Sequence, residues 1–365
     1  MTINYSTILL KILFNKDIQK MSLRQMAVAY AIQQDDTHNR LIHSLQVAEN
    51  SGIMTNNISK QVGFNIDPQE IFKFAGLFHD IGHTAFAHLG EVTLNKMLRK
   101  YGITFDGNAN NYVVLLKSKI MRMFPKEIQE YILASMAKHV NCFYPEQKNE
   151  KIIVLNEIAK EEIFLKENGM DVKLKKTLNC QIMDIADENC YLCSDIIDAR
   201  SILTKKEMKK AINSICDRET ANILVKKLYR SKAAFKEILS DYSVMFAENF
   251  KLENGKIVYI DKEIENIRIA FRKINVEYVL KNPKVKNIQT VNEEILETVF
   301  GYFIENEYLY SEVPSEYYKK KLFEEDLTEE NRLILVRNML GALTDKGVKK
   351  LYKKIKKKEI KNVSK

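Results

Sequence analysis

The chain has 365 residues, 45% of them apolar and 29% charged, with 12 Gly, 5 Pro, 5 Cys, no Trp and a formal charge of +9. Glycine and proline fall far below the ~12% usual in soluble domains, too few turn residues for an all-β architecture, so an all-α fold is expected. No apolar run approaches the ~18 residues of a membrane helix, and an odd cysteine count without a repeating framework fits a reducing, cytoplasmic setting with free thiols rather than a secreted disulfide scaffold.

Apolar residues recur at three and four spacing over 22–34, 40–52, 68–80, 87–100, 126–138, 178–199, 205–229, 231–247, 262–281, 290–307 and 328–343, which predicts a helix over each. Between Phe250 and Ile260 the pattern changes to two short β-like runs about Asn254-Gly255, the signature of one small β-hairpin. No Gly/Ser/Pro linker divides the chain. The expected organisation is a helical core over residues 1–200 and a helical C-terminal region over 201–365. From Asp345 to Lys365 ten Lys face only Asp345 and Glu359, a local charge of +8, so residues 1–344 carry just +1. This run reads either as a polyanion-binding arm or as a solvated last helix, since Leu351 and Ile355 recur at helical spacing.

Histidine is the sharpest local signal: His38, His43, His79, His83 and His88 fall within 51 residues, and only His139 lies elsewhere. The segment GLFHDIGHTAFAHLGE, 76–91, sets His79 beside Asp80, His83 one turn on, and His88 three residues before Glu91. An adjacent His-Asp pair behind the apolar helix of Ile71, Phe74, Ala75 and Phe78 offers a nitrogen and a carboxylate to one cation. With His43 and a further carboxylate this makes a mixed site suited to Mn, Fe, Co, Mg or Zn. The plainer alternative is a capping Asp beside a hydrogen-bonded His.

A second constellation runs from Asp184 to Asp198. On a helix Asp187, Tyr191 and Asp195 share one face, while Ile182, Ile185, Leu192 and Ile196 mark the buried side. Like charges on one face repel, and a cation or hydrogen-bonding ligand would compensate; an acidic solvated face is the alternative. Cys190 and Cys193 form a lone C-x-x-C without a second pair, better read as buried thiols than as a zinc site.

Together these segments resemble the HD-domain deoxynucleoside triphosphate triphosphohydrolases, particularly bacterial dGTPases. Residues 37–45 look like the family's first motif, 76–91 like its HD signature, Phe105 to Asn110 like "F-E-G-N-A-Q", and Asp184 to Asp198 like "D-x-A-D-D-x-x-Y-S-x-x-D-x-x-D". Gly341 to Asp345 is similar to the "G-M-T-D" before the family's last helix, so the resemblance spans about 37–355. The chain departs from the pattern at Thr84-Ala85, where Pro-Pro is usual, at Asn110, where Gln is usual, and in its short lead before the first motif. His38-Asn39-Arg40 is closer to the vertebrate HD-domain dNTPase.

The resemblance implies an HD-domain helical core and one divalent metal, Mn or Mg favoured, held by His43, His79, Asp80 and Asp187. It implies that Arg40 clamps phosphate, that His88 is the acid/base group with Glu91 orienting its ring, and that His83 and Asn108 assist or contact phosphate. Tyr191 and Asp195 would read the deoxyribose, with Gln33 or Gln34 touching the sugar. The implied reaction cleaves a dNTP, dGTP included, to deoxynucleoside and tripolyphosphate. The implied partners are an allosteric nucleotide and further copies of the chain, while the Lys-rich end would give weak single-stranded DNA binding. Two alternatives stay open: an HD phosphohydrolase or nuclease acting on another nucleotide, and a nucleotide-sensing or DNA-binding protein that uses the basic tail.

Overall fold

The computed structural model describes residues 4–26, 39–59, 68–136, 178–214, 216–254, 256–305 and 328–363. His38, His139, Gln33, Gln34 and Cys142 lie outside them. The described chain is helical apart from one hairpin. In order it runs α1 (Tyr5–Leu13), α2 (Lys16–Met21), α3 (Arg40–Ser59), α4 (Pro68–Phe78), α5 (Ala87–Leu98), α6 (Gly107–Lys117), α7 (Lys126–Ser135), α8 (Leu178–Ile202), α9 (Lys205–Asn213), α10 (Arg218–Leu228) and α11 (Lys232–Glu248). The strands β1 (Phe250–Glu253) and β2 (Lys256–Tyr259) follow, then α12 (Lys262–Ile274), α13 (Pro283–Glu305), α14 (Glu329–Gly341) and α15 (Asp345–Val363). No helix among the described residues is long and apolar enough to cross a membrane.

Side-chain caps decide several boundaries that periodicity alone does not. The helix expected over 22–34 is absent from its described part, where residues 22–26 turn after α2. The expected 205–229 helix is two, because Asp217 accepts from the backbone N–H groups of Glu219 and Thr220, each at 2.9 Å, and starts a new helix. Three helices were not predicted: α1, capped by Asn4, α2, capped by Asn15, and α6, capped by Asp106. The hairpin forms as expected, antiparallel, with Phe250 opposite Tyr259.

Three apolar clusters hold the helices. The first gathers α1 to α4, α7 and the first half of α8; the second gathers the rest of α8 with α9 to α12. The third packs residues 85–105 against α13, α14 and the start of α15. Residue 200, the expected division, therefore falls near the end of one helix that serves two clusters. Helices α3 and α4 cross very closely. A Cβ on Gly76 would meet the Ala48 backbone at 2.6 Å, so only glycine lets His43 of α3 approach the end of α4.

Candidate metal centre

His43 sits in the first turn of α3, one turn after Arg40; both are buried. His79 and Asp80 lie just past the end of α4, in the turn that follows Phe78. From α8, Asp187 reaches in, its Oδ1 2.8 Å from His43 Nε2 and 3.3 Å from His79 Nε2. Asp80 Oδ1 is 3.6 Å from His79 Nε2, and Asp80 Oδ2 is 3.9 Å from His43 Nε2. Ligand atoms of His43, His79 and Asp80 all lie within 4.8 Å of one another. The three segments that sequence reading held apart thus converge on one point.

The tautomer of His79 tests whether these residues fit a cation. Its Nδ1 lies 2.7 Å from the Gly76 carbonyl, which can only accept, so the proton is on Nδ1. A neutral ring then turns an Nε2 lone pair toward the Asp187 carboxylate at 3.3 Å. Two acceptors facing each other at that distance need positive charge between them. Two imidazoles and two carboxylates are the donor set of a divalent transition metal, and the carbonyl behind His79 is the usual outer-shell partner of a metal-bound histidine. The residues present therefore fit a metal.

Charge around Asp80 is arranged for the ionised form. Burial opposes ionisation, but Arg40, His79, His83 and His43 outweigh it and hold the carboxyl well below the usual carboxylate range. Arg40 pairs with Asp80 directly, while its own Nε is buried without a hydrogen-bond partner among the described residues.

The remaining expected residues surround this centre. His83 Nδ1 is 3.3 Å from Asp80 Oδ1. Glu91 Oε2 accepts from the Gly107 N–H at 3.3 Å, and a Cβ on Gly107 would meet the His83 ring at 2.9 Å and Glu91 Oε2 at 3.1 Å. Glu91 and His83 thus flank Gly107, and Glu91 shares the α5 face that carries His88. Phe86 and Ala87 hold positive φ angles of 56° and 54°, a left-handed step that redirects the chain into α5 and leaves His88 exposed on its first turn. Asn108 lies in the first turn of α6. On α8, the Tyr191 hydroxyl donates to Glu188 Oε1 at 3.3 Å, and Asp195 is buried with its Oδ2 accepting from Asn275.

Several supporting contacts escaped the sequence reading. Asn111 is fully buried, accepts from the Gly82 N–H at 2.6 Å and donates to the His79 carbonyl; Asn110 donates to the Gly82 carbonyl at 2.7 Å. Arg24 donates to the carbonyls of Ile81 at 2.9 Å, Leu343 at 3.1 Å and Gly341 at 3.3 Å. Burial and the neighbouring Arg40 charge lower its pKa to about 10. Asp345 accepts from the N–H groups of Gln25 at 2.8 Å and Phe86 at 2.9 Å. Glu188 pairs with both Arg268 and Arg272. Only an N-capping Asp before α6 and the Thr-Asp start of α15 left a sequence trace. The other partners are far apart along the chain.

Residues 40–189, which include His43, His79, Asp80 and Asp187, match the family model of the HD domain. Over that stretch the chain is similar to the HD domain. It is similar to deoxyguanosinetriphosphate triphosphohydrolase-like protein 2 of Deinococcus radiodurans, 26% identical over 88% of this chain and 84% of that one. A protein of the same name from Mesorhizobium japonicum is 31% identical over 45% of this chain and 39% of the relative. The deoxyguanosinetriphosphate triphosphohydrolase-like protein of Corynebacterium glutamicum is 30% identical over 45% and 38%. In these two shorter matches the chain spans about two fifths of the relatives' length.

Proposed function

We propose that this HD-domain chain is a metal-dependent dNTP triphosphohydrolase that accepts dGTP and releases deoxynucleoside and tripolyphosphate. The observation that carries the reading is the convergence of two imidazoles and two carboxylates beside a buried arginine with an unused donor. The relatives' names support the same substrate class.

A divalent ion held by His43, His79, Asp80 and Asp187, Mn or Mg in first place, would polarise a phosphoryl oxygen and acidify a water. Arg40 supplies fixed positive charge to a phosphate group, and its guanidinium suits bidentate pairing. Water attacks the α-phosphorus, its oxygen stays with the tripolyphosphate, and the bond to the 5′ oxygen breaks. His88 gives that oxygen its proton, with Glu91, on the same face of α5, raising its basicity. His83, between Asp80 and Gly107, and Asn108 assist with phosphate. The Tyr191 ring packs against the deoxyribose where a 2′-hydroxyl would crowd. Asn275 takes one oxygen of Asp195, and the other accepts from the 3′-hydroxyl.

Incubating the protein with each dNTP and Mn or Mg, then resolving tripolyphosphate from pyrophosphate and monophosphate, tests the proposal. Tripolyphosphate is expected. Pyrophosphate or monophosphate as the first product would move the reaction to another class of nucleotide hydrolysis.

A further inference from the structure

Helix α12 and the turn after it grip the part of α8 that carries Tyr191 and Asp195. Arg268, 4% exposed, donates from Nε to Asn189 Oδ1 at 2.8 Å and pairs with Glu188, while its guanidinium lies 5.2 Å from the centre of the Tyr259 ring. Asn189, fully buried, donates in turn to Asn50 Oδ1 of α3 at 3.2 Å, and Asn50 donates to the Ser243 carbonyl of α11 at 2.9 Å. This run of contacts ties Arg268 to two other helices and gives it one place to stand. Arg272 pairs with Glu188 from the exposed side, and the carboxylate held between two arginines receives the Tyr191 hydroxyl at 3.3 Å.

Past α12 the helix widens over Asn275–Val279, where the Leu280 N–H reaches back five residues to the Asn275 carbonyl at 2.9 Å. Such a π-type turn is rare and recurs at functional sites. Here it presents Asn275, buried, whose Nδ2 donates to Asp195 Oδ2. A carboxylate only accepts, so the amide cannot be reversed, and Asn275 Oδ1 stays buried without a hydrogen-bond partner among the described residues. An unpaired buried acceptor costs stability, and the fold carries that cost where it fixes Asp195.

We propose that Arg268 and Asn275 are positioning residues for the sugar: Arg268, through Glu188, for the Tyr191 ring, and Asn275 for Asp195 Oδ1. This rests on the hydrolase reading, in which those two side chains face the 2′ and 3′ carbons of the substrate. A tyrosine ring able to turn leaves room for a 2′-hydroxyl, and a carboxylate able to turn gives a 3′-hydroxyl no fixed acceptor. Selectivity then depends on how firmly the two groups are held as well as on their presence. Arg268 and Asn275 lie outside the 40–189 stretch similar to the HD domain, whereas the four proposed metal ligands lie inside it, so sugar choice and metal binding are open to separate perturbation.

The test compares dGTP, GTP and 2′,3′-dideoxy-GTP with the full chain, by kcat/KM with Mn and by calorimetric affinity in EDTA. Asn275→Ala should lower the preference for dGTP over dideoxy-GTP about tenfold, as for a lost hydrogen bond to a charged group, and leave the preference over GTP in place. Arg268→Lys should do the reverse, lowering the preference over GTP about fivefold, since an ammonium lacks the planar fork that serves Asn189 and Glu188 together. Asn275→Ala should add nothing to Asp195→Ala in the dideoxy comparison, because it acts through that carboxylate. Mn affinity should not change in either single variant. Arg272→Gln and Asn275→Ser take the places of Arg268→Lys and Asn275→Ala if those fail to fold. Unchanged ratios in folded variants would overturn the proposal, as would both ratios falling together with Mn affinity, or a native chain that treats the three nucleotides alike. Sugar-selective binding in EDTA that the variants shift as stated, without any tripolyphosphate formed with Mn, would support the positioning and count against the hydrolase reading alone.

Discussion

Asn111→Ala separates the turn that carries His79 and Asp80 from the helix that holds it. The native amide serves both ends of the turn, accepting from Gly82 N–H at 2.6 Å and donating to the His79 carbonyl, with no exposure to solvent. Alanine leaves one buried donor and one buried acceptor unpaired, at about 1–3 kcal/mol each, so the chain should lose ~2–6 kcal/mol. In the proposed metal centre the same contact restrains His79 from outside the coordination shell, so its removal should lower metal affinity about 10–100-fold. Calorimetric titration of Mn into the metal-free variant measures the second effect, and denaturant unfolding under the same conditions measures the first. Asn111→Asp keeps the acceptor for Gly82 but sets a carboxylate against the His79 carbonyl, so it should be worse than alanine on both measures. Lowered stability with unchanged Mn affinity in both variants would refute the argument, leaving Asn111 as packing alone.

Replacing Asp187 with Ala should abolish most metal binding, measured by bound Mn after gel filtration, while circular dichroism stays helical because Ala is the better helix former. His88→Ala should lower kcat by about 10²–10⁴ with metal and nucleotide still bound, and unchanged turnover would remove His88 from the acid/base role. A 2′,3′-dideoxynucleotide should be a poor substrate and Asp195→Ala should erode that preference; equal rates on ribo-, deoxy- and dideoxynucleotides would count against the sugar contacts. Asp345 gives a pH prediction. Burial pushes its carboxyl up, against the pull of the Gln25 and Phe86 N–H groups and of Arg24, so the folded chain holds this proton more tightly than the unfolded one. The stability linked to it is present below the ordinary carboxylate pKa of ~4 and is lost as pH rises through the folded value. The unfolding free energy of the native chain relative to Asp345→Asn should therefore decline as pH rises from about 4, and a rise over that range would contradict the assignment.

What could be read from residues alone was whatever is local. His79 and Asp80 are adjacent, Asp187 and Tyr191 are one helical turn apart, and Asn254-Gly255 spells its own turn, so each pattern is visible in a short window. Helix α6 was missed because its start depends on Asp106 as a cap, and the single helix expected over 205–229 divides at Asp217 for the same reason. The supports of the centre are of another kind. Asn111 lies 29 residues from Gly82, and Arg24 lies 319 residues from Leu343, and nothing in either local pattern announces the partner. Glu188 sits inside the acidic 184–198 stretch, and Arg268 and Arg272 of α12 make it the centre of an ion-pair cluster.

Arg24 carries a consequence for how the molecule can be taken apart. Its guanidinium gathers the Ile81 carbonyl of the turn that carries His79 and Asp80 together with Gly341 and Leu343 near the other end of the chain, and the Arg40 N–H bonds to its own carbonyl at 2.9 Å. The stretch that matches the HD domain, 40–189, includes neither Arg24 nor residues 341–345. An excised fragment with those bounds would keep every proposed ligand yet lose the brace behind the turn that presents two of them. The family signature and the smallest working unit therefore have different borders, and trimming the protein to its signature should discard the centre along with the ends.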